Sequence, residues 1–214
     1  MKEAEVSIPL DSEITLKGNL AIPEKAKLIV VFAHGSGSGR FSPRNQFVAK
    51  FLNKETMATL LLDLLTPKEE AVDEYTREFR FDIPLLAGRL EAVSKWLQKQ
   101  TETSKLKIAY FGASTGAAAA LIAAAHQGKE IAAVVSRGGR PDLAGDALPK
   151  VIAPTLLIVG GDDREVITLN NQANQLLTCT KKVEIVPGAT HLFEEKGTLE
   201  QVAKLAAGWF TTCK

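Results

Sequence analysis

Short runs in which nearly every position is apolar constrain this chain more than any other feature. Lys27–Ala33 reads KLIVVFA, Leu106–Phe111 LKIAYF, Ile131–Val135 IAAVV and Thr155–Val159 TLLIV, and the same texture recurs at Thr59–Leu62. A strand with one wet face alternates apolar and polar residues, whereas a strand covered on both faces is apolar throughout. Helical spacing fills the gaps, at Arg44–Leu52, Pro84–Lys99, Gly116–His126, Ile167–Leu177 and Leu199–Phe210, and a shorter strand is expected at Lys182–Val186. Alternating strand and helix builds βαβ units, so the expected class is α/β, a mostly parallel central sheet with helices on both faces. Glu5–Leu10 and Ile14–Ile22 alternate instead, which predicts N-terminal antiparallel strands. With 214 residues, 45% of them apolar, the chain suits a single domain over 1–214 and would be cramped as two.

Charge and composition narrow the partners. The net charge is +1 and no basic tract runs along the chain, which argues against nucleic acid and against an anionic membrane surface. The N-terminus, MKEAEVSIPLDSE, has no apolar core of a signal peptide, and no apolar run is long enough to cross a bilayer. Cys179 and Cys213 read as ordinary thiols of a cytoplasmic protein. Three histidines without a Cys/His cluster predict no metal site, and nothing in the chain calls for a cofactor.

Ligands of parallel sheets bind beyond the carboxyl ends of the strands, so the loops after the buried runs carry the functional expectations. Gly112-Ala-Ser-Thr-Gly116 follows LKIAYF and opens an alanine-rich helix. A sharp strand-to-helix turn lifts its central side chain above the sheet and requires small flanking residues. The helix N-terminus adds a positive partial charge at the same spot. Gly-x-Ser-x-Gly arises by chance in roughly one chain in fifteen of this size, so its surroundings decide its meaning. Gly160-Gly-Asp-Asp163 follows TLLIV and offers a carboxylate, expected from Asp163, with Asp162 as the alternative or as a helix cap. Pro187-Gly-Ala-Thr-His191 follows the last strand and offers an imidazole, while His126 lies at the far end of its helix. His34-Gly-Ser-Gly-Ser-Gly39 follows KLIVVFA, and it lacks the Gly-Lys-Ser/Thr of a phosphate loop and the GxGxxG of a dinucleotide site. Its glycines let backbone N–H groups approach a ligand, so Ser36 and Thr115 are the expected oxyanion donors and His34 a structural residue.

HGSGSG, GASTG, GGDD and GATH, together with the order Ser114, Asp163, His191, resemble the α/β-hydrolase superfamily, and within it the small dienelactone-hydrolase-like group, over nearly the whole chain. The resemblance implies the α/β-hydrolase fold, with Ser114 as nucleophile, His191 as general base and Asp163 orienting His191. True dienelactone hydrolases carry a cysteine at the nucleophile position, where this chain has Ser114, so a small-molecule carboxylic ester or lactone is the expected substrate. A non-catalytic ligand-binding protein, an acyltransferase and a C–C bond hydrolase are the alternatives on the same fold.

Many such folds insert a helical lid after the strand IAAVV, but only Ser136–Lys150 separates it from the next strand, so no lid domain and an open site are expected. Arg40, Arg137 and Arg140, with Arg44, stand near the expected rim and could bind an anionic substrate or pair with Asp142 and Asp146. Trp96 and Trp209 are expected in the core. Thr66–Phe81 is the most charged and least regular segment, either bordering the pocket or solvated.

Overall fold

A computed structural model describes residues 1–213. Eight strands form one sheet: β1 (Lys2–Pro9), β2 (Thr15–Ile22), β3 (Leu28–Ala33), β4 (Ala58–Leu62), β5 (Lys107–Ala113), β6 (Ile131–Arg137), β7 (Thr155–Gly160) and β8 (Lys181–Val186). Their spatial order is β1-β2-β4-β3-β5-β6-β7-β8. β1 pairs antiparallel with β2 and β2 antiparallel with β4, while every pair from β4 to β8 is parallel. This is the α/β-hydrolase architecture.

The continuous apolar runs are central strands because both sheet faces are covered. Along β3, Leu28, Val30 and Phe32 enter one core and Ile29, Val31 and Ala33 the other. The first core is closed by α1 (Pro43–Lys54) and α6 (Thr198–Thr211), through Val48, Leu52, Val202, Ala206 and Phe210. The second is closed by α3 (Ile83–Lys99), α4 (Thr115–Gln127) and α5 (Arg164–Leu176), through Leu86, Leu90, Val93, Leu97, Leu121 and Ala173. Trp96 packs against this second core and Trp209 against the first, both at its edge, and Trp209 Nε1 donates to Pro154 O at 3.3 Å. Both cysteines are free. No described helix is long and apolar enough to cross a membrane.

One segment departs from its expected irregularity. Pro67–Thr76 is a helix, α2. Thr66 caps it, accepting from Glu69 N–H, while the Glu69 carboxylate returns to the Thr66 N–H at 2.7 Å. With Pro67 in the first turn, this is a complete helix start. Glu69 also pairs with Arg89 of α3. Within the helix, the buried Asp73 accepts from the N–H groups of Phe79 and Arg80, which follow it, and from the Arg80 side chain. The charges are spent on folding this excursion back onto the domain.

Ser136–Lys150 carries no lid. Its 3-10 segment, Pro141–Lys150, reverses at Gly145 (φ +49°) and buries Ala144 and Leu148 against the core that α4 and α5 share.

Candidate active site

The sheet register brings the loops together. Ala33, Gly112, Ser136 and Leu157 form one row across β3, β5, β6 and β7. The loops that follow these strands emerge along a common ledge.

Ser114 stands on that ledge in a left-handed backbone conformation, φ +50° and ψ −124°. Such a conformation costs a non-glycine residue about 1–3 kcal/mol and persists only where neighbours hold it. Here the Ser114 N–H donates to Arg137 O at 3.4 Å, and Ser114 O accepts from Ala117 N at 3.1 Å and Arg140 N at 3.0 Å. The flanking glycines are sterically required. A Cβ on Gly112 would sit 2.4 Å from Ala117 Cα, and one on Gly116 would sit 2.2 Å from Ala33 O and 2.4 Å from His34 O. The alanines of α4, buried from Ala117 to Ala120, let the helix leave the turn close against the sheet.

Asp163 and His191 arrive from β7 and β8. The Asp163 carboxylate lies 2.7 Å from His191 Nδ1, which leaves Nε2 as the second nitrogen of the ring. Asp163 is also the N-cap residue of α5, but its side chain makes no cap bond. Asp162 is exposed and does not cap the helix, contrary to the role considered for it; its N–H holds Ala189 O at 2.9 Å. Gly160 is again forced, because a Cβ there would meet Ala189 O at 2.4 Å.

Ser114 and His191 line one cleft of about 270 Å3, shared with Gly35, Ser36, Ser38, Ser42, Arg44, Arg137, Gly138 and Leu192. Ser114 Oγ makes no hydrogen bond among the described residues. A larger hollow, about 620 Å3, lies at the opposite ends of the strands against Lys107, Ile131 and Pro154. None of Ser114, Asp163, His191, Ser36 or Thr115 lines it, so chemistry and not size selects the smaller cleft.

The glycine-rich loop lies directly against the serine, since a Cβ on Gly35 would fall 2.9 Å from Ser114 Cβ. The Ser36 N–H donates to Thr115 Oγ1 at 3.1 Å. Thr115 begins α4, where first-turn N–H groups have no intrahelical acceptor. His34 is buried beneath the loop: Nδ1 bonds Gly35 O and Nε2 accepts from Leu64 N–H, both at 2.9 Å. That arrangement needs a neutral ring, and burial holds its pKa below the ordinary histidine value. His126 is far from the ledge, 2.7 Å from Glu91 on the helix surface.

The arginines separate into two groups. Arg40 turns away from the cleft, with Nε 3.2 Å from Asp63 and Nη2 3.4 Å from Glu5. Arg140 is held by Asp142 at 2.8 Å and also lies outside the cleft walls. Arg137 and Arg44 do line it. Sequence reasoning overlooked Gly138 and Gly139, although a Gly-Gly pair after a buried strand signals a close approach. A Cβ on Gly138 (φ +50°) would meet His191 O at 3.0 Å, and one on Gly139 would meet Ser136 Oγ at 2.0 Å.

A mostly parallel sheet of this order, with a serine on a strained turn before α4 and a histidine and an aspartate delivered by the last two strand ends, defines the α/β-hydrolase class of protein. Similarity to known proteins narrows it. Residues 16–211 match the sequence profile of the dienelactone hydrolase family, and the chain belongs to that family. It is 55% identical to a crystal structure of a dienelactone hydrolase from Anabaena variabilis, with a TM-score of 0.97 covering 99% of this chain and 98% of that one. Est1E from Butyrivibrio proteoclasticus shares the fold alone, at 17% identity and a TM-score of 0.80 over 97% of this chain and 98% of its own. Two strains of Mycobacterium tuberculosis carry a relative 55% identical over 210 residues, named provisionally as a phosphoribosyl transferase. The match takes in 98% of this chain but 46% of those proteins, so the chain spans about half the length of the curated relatives it matches.

Proposed function

We propose that the chain is a serine hydrolase that cleaves carboxylic esters or lactones. The observation that carries this reading is Ser114 on its strained turn in one cleft with the His191 imidazole, whose Nδ1 is 2.7 Å from Asp163. Ser114 Oγ attacks the acyl carbonyl as His191 Nε2 takes its proton. Asp163 fixes the tautomer with Nδ1–H and stabilises the imidazolium. The C–O bond to the leaving group then breaks, the imidazolium proton passes to the departing oxygen, and Ser114 holds the acyl group. A water deprotonated by His191 releases the acid and restores the serine.

The developing oxyanion is met by the N–H groups of Thr115 and Ser36. The Ser36 N–H now donates to the Thr115 hydroxyl, an acceptor the oxyanion replaces. Ser114 Oγ is not hydrogen-bonded to His191 here, so the relay requires the ring to close on the hydroxyl when substrate binds, as in many ligand-free sites. The transferase name of the mycobacterial relatives belongs to proteins about twice as long, and the residues gathered here are those of acyl chemistry.

A fluorophosphonate probe tests the nucleophile, and a panel of esters, thioesters and lactones tests the reaction. Ser114→Ala is expected to abolish labelling and lower kcat by roughly 10⁴-fold or more. Undiminished turnover of an ester by that variant would end the proposal.

A further inference from the structure

The cleft holds a positive charge for which no carboxylate among the described residues serves as counter-ion. Arg137, the last residue of β6, is only 6% exposed. Its single side-chain hydrogen bond among the described residues runs from Nη2 to Asn45 Oδ1 at 3.4 Å, and its Nε is buried without a partner. The guanidinium carbon lies 5.9 Å from the centre of the Phe193 ring, and among the described residues no carboxylate pairs with it. Arg40, Arg80, Arg89 and Arg140 each face a carboxylate. A guanidinium taken out of water without one is unfavourable, because the aromatic face and a neutral amide replace only part of its hydration. Burial, with the neighbouring Arg44 charge, pushes Arg137 down to about 10.

Arg44 enters the same cleft. Its Nη1 reaches the exposed Glu194 at 2.9 Å, while its Nε is buried without a partner. Ser42, also in the wall, is the N-cap of α1, so the positive end of that helix faces the same space. The exposed Glu194 answers Arg44 alone, so an anion entering between the two guanidinium groups gains from both.

We propose that this part of the cleft is a phosphate subsite, in which Arg137 and Arg44 receive a phosphate group carried by the substrate while the acyl carbon lies at Ser114. A carboxylate brings one charge and two oxygens, which a single planar fork satisfies. A phosphate monoester brings nearly two charges and three terminal oxygens, matching two guanidinium forks with serine hydroxyls beside them. The substrate assignment rests on the hydrolase reading above; the anion site does not. Because Arg40 and Arg140 do not line the cleft, anion selection falls to the two arginines that do, Arg137 and Arg44.

The test is calorimetric titration with inorganic phosphate, and separately with acetate, at fixed ionic strength. The proteins are the wild type, Ser114→Ala, Arg137→Lys, Arg137→Met, Arg44→Gln and the exposed-surface control Lys99→Met. Phosphate is expected to bind the wild type and Ser114→Ala alike, and acetate at least tenfold more weakly. Arg137→Met is expected to weaken phosphate by tenfold or more and Arg44→Gln by several-fold, with Lys99→Met unchanged. Melting curves show which variants fold. If Arg137→Met does not, Arg137→Lys decides, since it keeps a positive charge but loses the fork and is expected to weaken phosphate several-fold. Absence of phosphate binding to the wild type, acetate binding as tightly, or phosphate affinity indifferent to Arg137→Lys would each overturn the subsite. In kinetics, kcat/KM for a phosphate-bearing ester over its neutral counterpart is expected to exceed tenfold and to shrink in Arg137→Lys. Phosphate binding without turnover of any ester sinks the hydrolase reading and leaves the subsite standing; turnover of neutral esters without phosphate binding does the reverse.

Discussion

Replacing the Asp163 carboxylate by an amide isolates one interaction. Asp163→Asn preserves shape and removes a charge 2.7 Å from His191 Nδ1. Over that distance a carboxylate and an imidazolium attract by about 1.5 kcal/mol at an effective dielectric of ~80 and by about 6 kcal/mol at ~20. The His191 side chain is 40% exposed and that of Asp163 15%, so the pair lies between those limits. A loss of about 3–4 kcal/mol of transition-state stabilisation follows, which lowers kcat by ~10²–10³-fold. The ground state, with a neutral ring, loses much less, so KM is expected to change little. The assay is saturation kinetics on p-nitrophenyl acetate, with Asp162→Asn measured alongside. That aspartate is exposed and makes no contact with the imidazole, so its variant is expected to stay within about twofold of wild type. A loss under about threefold in Asp163→Asn, or a larger loss in Asp162→Asn, would refute the reasoning.

Two glycines in helices should respond to the same substitution with opposite signs. Gly116→Ala drives a Cβ to 2.2 Å from Ala33 O, backbone that has nowhere to go, and is expected to cost about 3 kcal/mol or more, roughly 6–12 °C in Tm by calorimetry. Gly88→Ala, exposed on α3 with nothing within 4 Å, is expected to stabilise by about 0.5–1 kcal/mol, visible as a raised urea midpoint. The buried neutral His34 titrates below its unfolded value, so between that value and its own folded pKa the unfolded chain binds more protons. Stability is therefore expected to fall as pH drops below ~6.5, by at most about 1.4 kcal/mol per pH unit from this group. The difference between wild-type and His34→Gln unfolding free energies across that window measures it, and parallel pH profiles would remove His34 as the source.

How much of this was readable in advance follows from the range of the interactions. Strands β3 to β7 were legible because burial on both faces keeps their runs almost wholly apolar, with buried polar residues such as Thr59, Ser136, Arg137 and Thr155 only near the ends. Ser114 was legible because the glycines that free its turn lie two residues to either side. The helix at Pro67–Thr76 was not, although Thr66-Pro67 and Glu69 are a local start signal. It has no apolar stripe to announce it, since Val72 and Tyr75 are exposed and its buried residue is Asp73, and what fixes its far end is Asp73 accepting from Phe79 and Arg80. Among the arginines, the pairing of Arg140 with Asp142 two residues away was within reach of inspection. Arg40 was not, because Asp63 just past β4 and Glu5 on β1 are both far from it along the chain.

By itself, then, the sequence determined the layered α/β architecture, the elbow under Ser114 and the three loops that carry serine, aspartate and histidine. Each depends on periodicity or on residues a few positions apart, and such information is local. The tertiary structure alone decided that Asp163 rather than Asp162 meets His191, that the Ser36 N–H rests on the Thr115 hydroxyl, and that Arg137 is buried at the cleft with no acid paired to it among the described residues. Those outcomes depend on which side chains the sheet register and the helix packing bring within about 4 Å, where charges and hydrogen bonds act and where separation along the chain no longer matters.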